Sequence, residues 1–334
     1  MVATRFATVA SETFSKRKAE SPAKKATPVK KATPAKKTSA AKKASPKSAK
    51  AAIQTPRGWR PIYDLVVELR QDRTAVVDSM GSEAIAADAP PGDRAYQSLI
   101  SLMLSSQTKD TTNLATMKKL RAHGLTPANI LATSDAKLDE LIHAVGFHNN
   151  KVWPSRRAAS PRQQADATGI PRPPPHRQVK YIKATTAMLV EKHGGAVPDT
   201  MDELIAFPGV GPKMALILLS VVYGKVEGIS VDTHVHRICN QLGWAGPAGT
   251  KTPEQTRAAI EGWMPREVWP HVNILLVGLG QEVQTEKPKL LGKALGCSDP
   301  AGALRLLGTL GLDVPKEMAK AGLSMPAGLG ELCD

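Results

Sequence analysis

From Trp59 to about Gln281, apolar residues recur three and four positions apart in one segment after another. No segment alternates apolar and polar residues as a half-exposed strand would. "IYDLVVELRQDR" and "AYQSLISLMLSSQTKDTTNLATMKKLRAHG" carry the rhythm first, the second closed by Gly124. "SDAKLDELIHAVG", "VKYIKATTAMLVEKHGG", "TMDELIAF", "PKMALILLSVVYG", "THVHRICNQLGW", "TPEQTRAAIEGWM" and "REVWPHVNILLVGLG" continue it. Such patterning confines the chain to an all-α core, and 334 residues suffice for one large domain or two modest ones.

The charge lies elsewhere. Residues 1–60 hold 16 Lys and Arg against Glu12 and Glu20, which is +14 of the net +15. Residues 19–52 repeat hexamers such as "AKKATP" and "AKKASP", without large apolar groups to offset chain entropy. Residues 1–56 therefore read as a disordered Lys/Ala/Pro-rich arm that attracts DNA phosphates without sequence preference and suits nuclear import. The first eighteen residues, Ser/Thr-rich and acid-poor, leave open a plain leader and a mitochondrial presequence. No apolar stretch approaches the roughly 20 residues of a membrane span, so no membrane partner is expected. Three scattered cysteines, Cys239, Cys297 and Cys333, are too few for a disulfide framework and fit a reducing compartment.

The core is expected over 57–290, with a divergent Gly/Leu/Ala-rich segment over 291–334. Within the core, residues 152–178 are rich in Pro and Arg, lack periodicity and read as a disordered insert. Their 27 residues correspond to 81 nucleotides, and Val152 and Gln178 permit GT and AG at the ends, as a retained intron would have. A genuine surface loop is the rival.

The chemistry concentrates in "DELIAFPGVGPKMALILL". Two helices are joined by a tight hairpin, Pro208-Gly209-Val210-Gly211, with Pro212 fitting the first position of the second helix. Glycines at 209 and 211 permit positive φ and close approach of backbone amides, and the free N–H groups of a helix start suit a phosphate. This is a helix-hairpin-helix pattern, a sequence-tolerant grip on a DNA backbone; a Gly-rich turn between packed helices is the bland alternative. Lys213 heads the apolar helix. A lysine there commonly snorkels, yet an amine partly removed from water becomes a nucleophile. Nineteen residues on, in "GISVDTHVHRICN", Asp232 precedes a helical run, where it can cap the helix and also face the amine across a cleft. His234 and His236 lie two apart, off a common helical face, and read as structural or phosphate-contacting, with no metal site.

"FPGVGPKMA" followed by "VDTHVHR" resembles the endonuclease III family of DNA glycosylase/AP lyases, in its eukaryotic branch. The likeness runs from about Trp59 to Gln281 and includes "LMLSSQTKDTTN", "VGFHNNK", "VKYIKATTAML" and "LLVGLGQ". It implies a bilobal fold with a DNA cleft between lobes, and a monomer acting on double-stranded DNA bearing oxidised pyrimidines or abasic sites. Lys213 matches the family's Schiff-base lysine and Asp232 its essential aspartate. Gln107 matches a residue that enters the gap left by a flipped nucleotide, and Phe147 falls where relatives insert an apolar wedge. Gly209, Val210, Gly211 and His234 complete the expected DNA contacts. Two readings stand against this one: a non-catalytic DNA-binding protein, which needs neither Lys213 nor Asp232, and a monofunctional glycosylase, which Lys213 opposes.

Many relatives end in a 4Fe–4S loop with cysteines spaced C-x6-C-x2-C-x5-C. Aligning "EKPKL" with the end of that loop places Val283, Leu290, Lys293 and Asp299 at the ligand positions, none of them a thiolate. The sequence thus predicts no cofactor, with the C-terminal closure of the fold in doubt.

Overall fold

A computed structural model describes residues 54–106, 108–145, 177–324 and 326. The basic arm, Gln107, Phe147 and most of the 152–178 stretch lie outside the described residues. The helices are α1 (Trp59–Leu69), α2 (Val76–Met80), α3 (Ser82–Ala87), α4 (Arg94–Ser105), α5 (Asp110–His123), α6 (Pro127–Ala132), α7 (Asp135–Ile142) and α8 (Arg177–His193). They continue with α9 (Met201–Ile205), α10 (Pro212–Tyr223), α11 (Thr233–Gln241) and α12 (Pro253–Glu261). A 3-10 turn (Arg266–Val268) leads into α13 (Trp269–Thr285), followed by α14 (Lys287–Leu295), α15 (Pro300–Thr309) and α16 (Val314–Lys320). Among the described residues there is no strand.

Local chemistry sets many of the boundaries. Ser134 and Thr252 accept from the Lys137 and Gln255 N–H groups at the starts of α7 and α12, and proline opens α6, α10, α12 and α15 and stands second in α13, α14 and α16. The long run read as one helix up to Gly124 is two, α4 and α5. Ser106 leaves the helical region, and the Ser105 and Thr108 hydroxyls donate to the Leu102 and Ser106 carbonyls, competing with the helix ladder.

Two apolar cores result. The first joins Ile85 of α3 with Leu99, Leu104, Met117, Leu120, Ile182 and Leu218 from α4 to α10. The second joins Val66 and Leu69 of α1 with Val235, Ile238, Val272, Leu279, Leu304 and Leu307 from α11 to α15. Burying each such aliphatic side chain contributes about 1.5–3 kcal/mol relative to exposure. The inner lobe, α3–α10, is therefore an insertion in sequence between the two parts of the outer lobe, α1–α2 and α11–α16.

The outer lobe also buries charge. Arg70, with a fully buried side chain, pairs with Asp78 and with Glu282 (3.0 Å). Lys293 pairs with Glu282 (2.8 Å) and Asp72 (2.7 Å). This network pins α1 and α2 to α13 and α14. It also corrects two boundaries. The division drawn at 290/291 falls inside α14, and α14–α16 close the outer lobe through Leu290, Leu291, Ala294, Val314 and Met318. Arg177 and Gln178, assigned to the irregular insert, form the first turn of α8.

Candidate active site

The inner lobe contributes the hairpin and Lys213. Thr185 on α8 donates to the Pro208 carbonyl (2.9 Å), anchoring the turn. Gly209 has φ 82°, and a Cβ there would stand 2.9 Å from Cγ of Tyr181, so the Tyr181 ring is the floor on which the turn lies. Gly211 differs from the expectation of positive φ: it is an extended N-cap residue at φ −106°, and a Cβ there would meet nothing within 4 Å. Val210 is buried, and its N–H is spent on the Phe207 carbonyl. It therefore supports the turn from inside. No side chain caps α10, which leaves the first-turn N–H groups facing outward for an external acceptor.

The outer lobe contributes Asp232. After α10 the chain crosses between lobes and is gripped on arrival. The Ile229 N–H donates to Glu261 (2.8 Å), and the Asn273 amide donates to the Ser230 carbonyl (2.8 Å). Asp232 then caps α11, accepting at Oδ1 from the Val235 N–H (2.9 Å). That bond fixes the carboxylate and leaves Oδ2 for the cleft, where it lies 3.8 Å from Lys213 Nζ. The side chains of Lys213 and Asp232 are 44% and 15% exposed. The lysine side chain is thus half-exposed, with its amine beside a mostly buried carboxylate.

His236 bonds Thr256 through Nδ1 (2.6 Å), a structural role. His234 packs against α13: a Cβ on Gly280 would come within 2.6 Å of its Nδ1, which is buried and unpartnered. Among the described residues no group of His, Cys, Asp and Glu could hold a metal ion. Tyr181 and Gln281 went unnoticed in the sequence as site supports. Both sit in quoted stretches, "VKYIKATTAML" and "LLVGLGQ", but only the fold brings them to the hairpin and to the lobe boundary.

The profile of the HhH-GPD superfamily of base excision DNA repair proteins matches residues 100–158 and 175–266, leaving out much of the irregular stretch. Endonuclease III-like protein 1 of Gallus gallus is 44% identical over 228 residues, covering 68% of this chain and 71% of that protein. The chain belongs to the endonuclease III family. The Bos taurus endonuclease III-like protein 1 is 45% identical over 228 residues, with 68% of this chain and 66% of that protein covered. This endonuclease III thus spans about two thirds of the length of those relatives. Its fold is similar to that in a non-covalent endonuclease III–DNA complex, with TM-score 0.50 and 23% identity, covering 74% of this chain and 98% of the other. The bilobal all-α glycosylase fold is that of the family, and the chain is a base excision repair DNA glycosylase.

The family membership corrects the cofactor expectation. Endonuclease III family members carry a 4Fe–4S cluster, so the prediction of no cofactor does not stand for the family to which this chain belongs. The side chains at the four aligned positions do not fit such a group. Val283 and Leu290 are core residues, Lys293 neutralises Glu282 and Asp72, and Asp299 caps α15 through the Gly302 N–H (2.8 Å).

Proposed function

We propose that this endonuclease III is a bifunctional DNA glycosylase/AP lyase that removes oxidised pyrimidines through an imine at Lys213. The observation that carries the proposal is the 3.8 Å separation of Lys213 Nζ and Asp232 Oδ2 across the lobes, with the lysine open to the cleft. A flipped nucleotide brings its sugar between them, and the DNA itself supplies the exclusion of water that makes the amine nucleophilic. The Nζ lone pair forms a bond to C1′ as the glycosidic bond breaks, its electrons leaving with the base, which takes up a proton. Asp232 stabilises the positive charge that develops on the sugar and receives a proton from the amine. The nitrogen lone pair then expels O4′ from C1′, O4′ taking up the proton held by Asp232, and the opened sugar is the imine. The imine acidifies C2′, loss of a C2′ proton expels the 3′ phosphate by β-elimination, and the strand is cut 3′ to the lesion. The hairpin backbone holds the phosphates while this happens.

The test is borohydride trapping on duplex DNA containing thymine glycol. Lys213→Gln is expected to abolish the trapped adduct and strand cleavage while retaining binding to damaged DNA. Asp232→Asn is expected to slow base release by about 100- to 1,000-fold, the usual cost of removing a group aimed at developing charge. Undiminished trapping by Lys213→Gln would move the imine to another lysine, and base release without any trapping by the native protein would make it monofunctional.

A further inference from the structure

The reacting groups belong to different lobes, so their separation depends on how the lobes are held. Gln281 on α13 lies where that hold can be made. Its Oε1 accepts from the Val77 N–H (2.9 Å) in the first turn of α2, a helix preceded by Ala75, which has no capping group of its own. Its Nε2 donates to Asp110 Oδ2 (2.9 Å) at the first residue of α5, in the inner lobe. One amide thus joins α13 and α2 of the outer lobe to α5 of the inner.

The residue type is dictated by the two partners. An N–H on one side requires an acceptor, and a carboxylate on the other requires a donor. Among side chains of this length only the glutamine amide offers both. Glutamate would satisfy Val77 but set two carboxylates against each other; lysine would satisfy Asp110 but leave the Val77 N–H unpaired. The adjoining residue strengthens the link to the site. Gly280 is the position against which His234 packs, and His234 lies two residues beyond Asp232 on α11. Consecutive residues of α13 therefore contact the Asp232-bearing helix and the Lys213-bearing lobe.

We propose that Gln281 is a positioning residue for base excision: its amide sets the approach of the inner lobe to α13 and so the gap between Lys213 and Asp232. The inference rests on the reading of those two as the reacting pair. It also accounts for the glutamine that ends "LLVGLGQ".

The test exchanges the partners. Gln281→Glu keeps the bond to Val77 and breaks the one to Asp110. Base release in single turnover should slow at least about tenfold, since a misplacement on the order of 1 Å costs up to about 100-fold. Asp110→Asn keeps an amide oxygen to accept from Gln281 and should stay within about threefold of the native rate, because the bond and not the charge is required. The double variant Gln281→Glu/Asp110→Asn restores a single amide-to-carboxylate bond in the reverse sense, and most of the lost rate should return. Affinity for a duplex with an uncleavable abasic-site analogue should change less than about threefold throughout, a split that general destabilisation would not give. Native-like release by Gln281→Glu overturns the proposal, as does an Asp110→Asn variant as slow as Gln281→Glu or a double variant no faster than it. If Gln281→Glu does not fold, the double variant decides alone, because it carries the same glutamate with its partner restored. Failure of the reacting-pair reading is distinguishable, since it would appear as trapping by Lys213→Gln whatever stands at 281.

Discussion

Gly209 and Gly211 look alike in "PGVG" and answer to different demands. At Gly209 a side chain would meet a left-handed φ and the Tyr181 ring together. Gly209→Ala should therefore lower the denaturation midpoint, by about 1–3 kcal/mol in stability. At Gly211 the protein leaves the space open, so Gly211→Ala should leave the midpoint unchanged; if the hairpin grips a DNA backbone as proposed, the added methyl should weaken binding to an abasic-analogue duplex. Equal losses of stability in the two variants would remove that distinction. The sequence pointed to both glycines and to the Lys213/Asp232 pair because motif spacing is local. It was silent on which glycine the fold itself requires, since the answer lies in Tyr181, more than two dozen positions earlier. Gly280 is a further case, for its neighbour His234 belongs to another helix. Gly280→Ala should displace that ring and slow base release, read in single turnover.

At the scale of elements, periodicity exposed the helices that bury one face, from α1 and α4 to α13. It ran α4 into α5 because the break is made by hydroxyls bonding to nearby carbonyls, which leaves the apolar rhythm intact. It passed over α2 and α3, which are five and six residues long and too short to show a period. The C-terminal helices were undervalued because the apolar faces they cover belong to α1 and α13, and in the sequence nothing near them announces that pairing. Their charged seam is equally hidden: Arg70 and Asp78 lie some two hundred positions from Glu282 and Lys293, and a Cβ on Gly278 would collide with the Arg70 guanidinium. Arg70→Met, which leaves Glu282 to Lys293 and Asp78 to Arg73 and the Ala75 N–H, should cost about 3 kcal/mol in chemical denaturation, the low end for a broken buried pair; a loss below about 1 kcal/mol would mean that water replaces the arginine. The helices also shelter two thiols. Burial, with Asp232 adding to it, pushes Cys239 up to about 12, and burial with Glu68 nearby pushes Cys297 up to about 11. In the native protein at pH 8 both should react with a thiol reagent far more slowly than in denaturant, as peptide mapping of the labelled sites would report.

For the whole molecule, the net charge is concentrated at one end of the sequence. Residues 1–60 carry +14 and the remaining 274 carry +1, and we propose that the core holds DNA mainly through a few placed groups while the arm supplies long-range attraction. Removing residues 1–56 should weaken binding to undamaged duplex and flatten its dependence on salt, with little change in turnover of a short damaged duplex at low salt; an unaltered salt slope would contradict it. The division into lobes has a consequence for synthesis. The ribosome delivers α1 first, yet α1 packs against α13, α14 and α15, the last of these among the final helices made. The inner lobe has all its helices as soon as α10 emerges, so the half of the molecule bearing Lys213 can fold while the half bearing Asp232 waits. During that interval Leu65, Val66 and Leu69 lack the cover of α13–α15, and a nascent chain stalled before α13 would present them to the chaperone machinery as an unpaired apolar face.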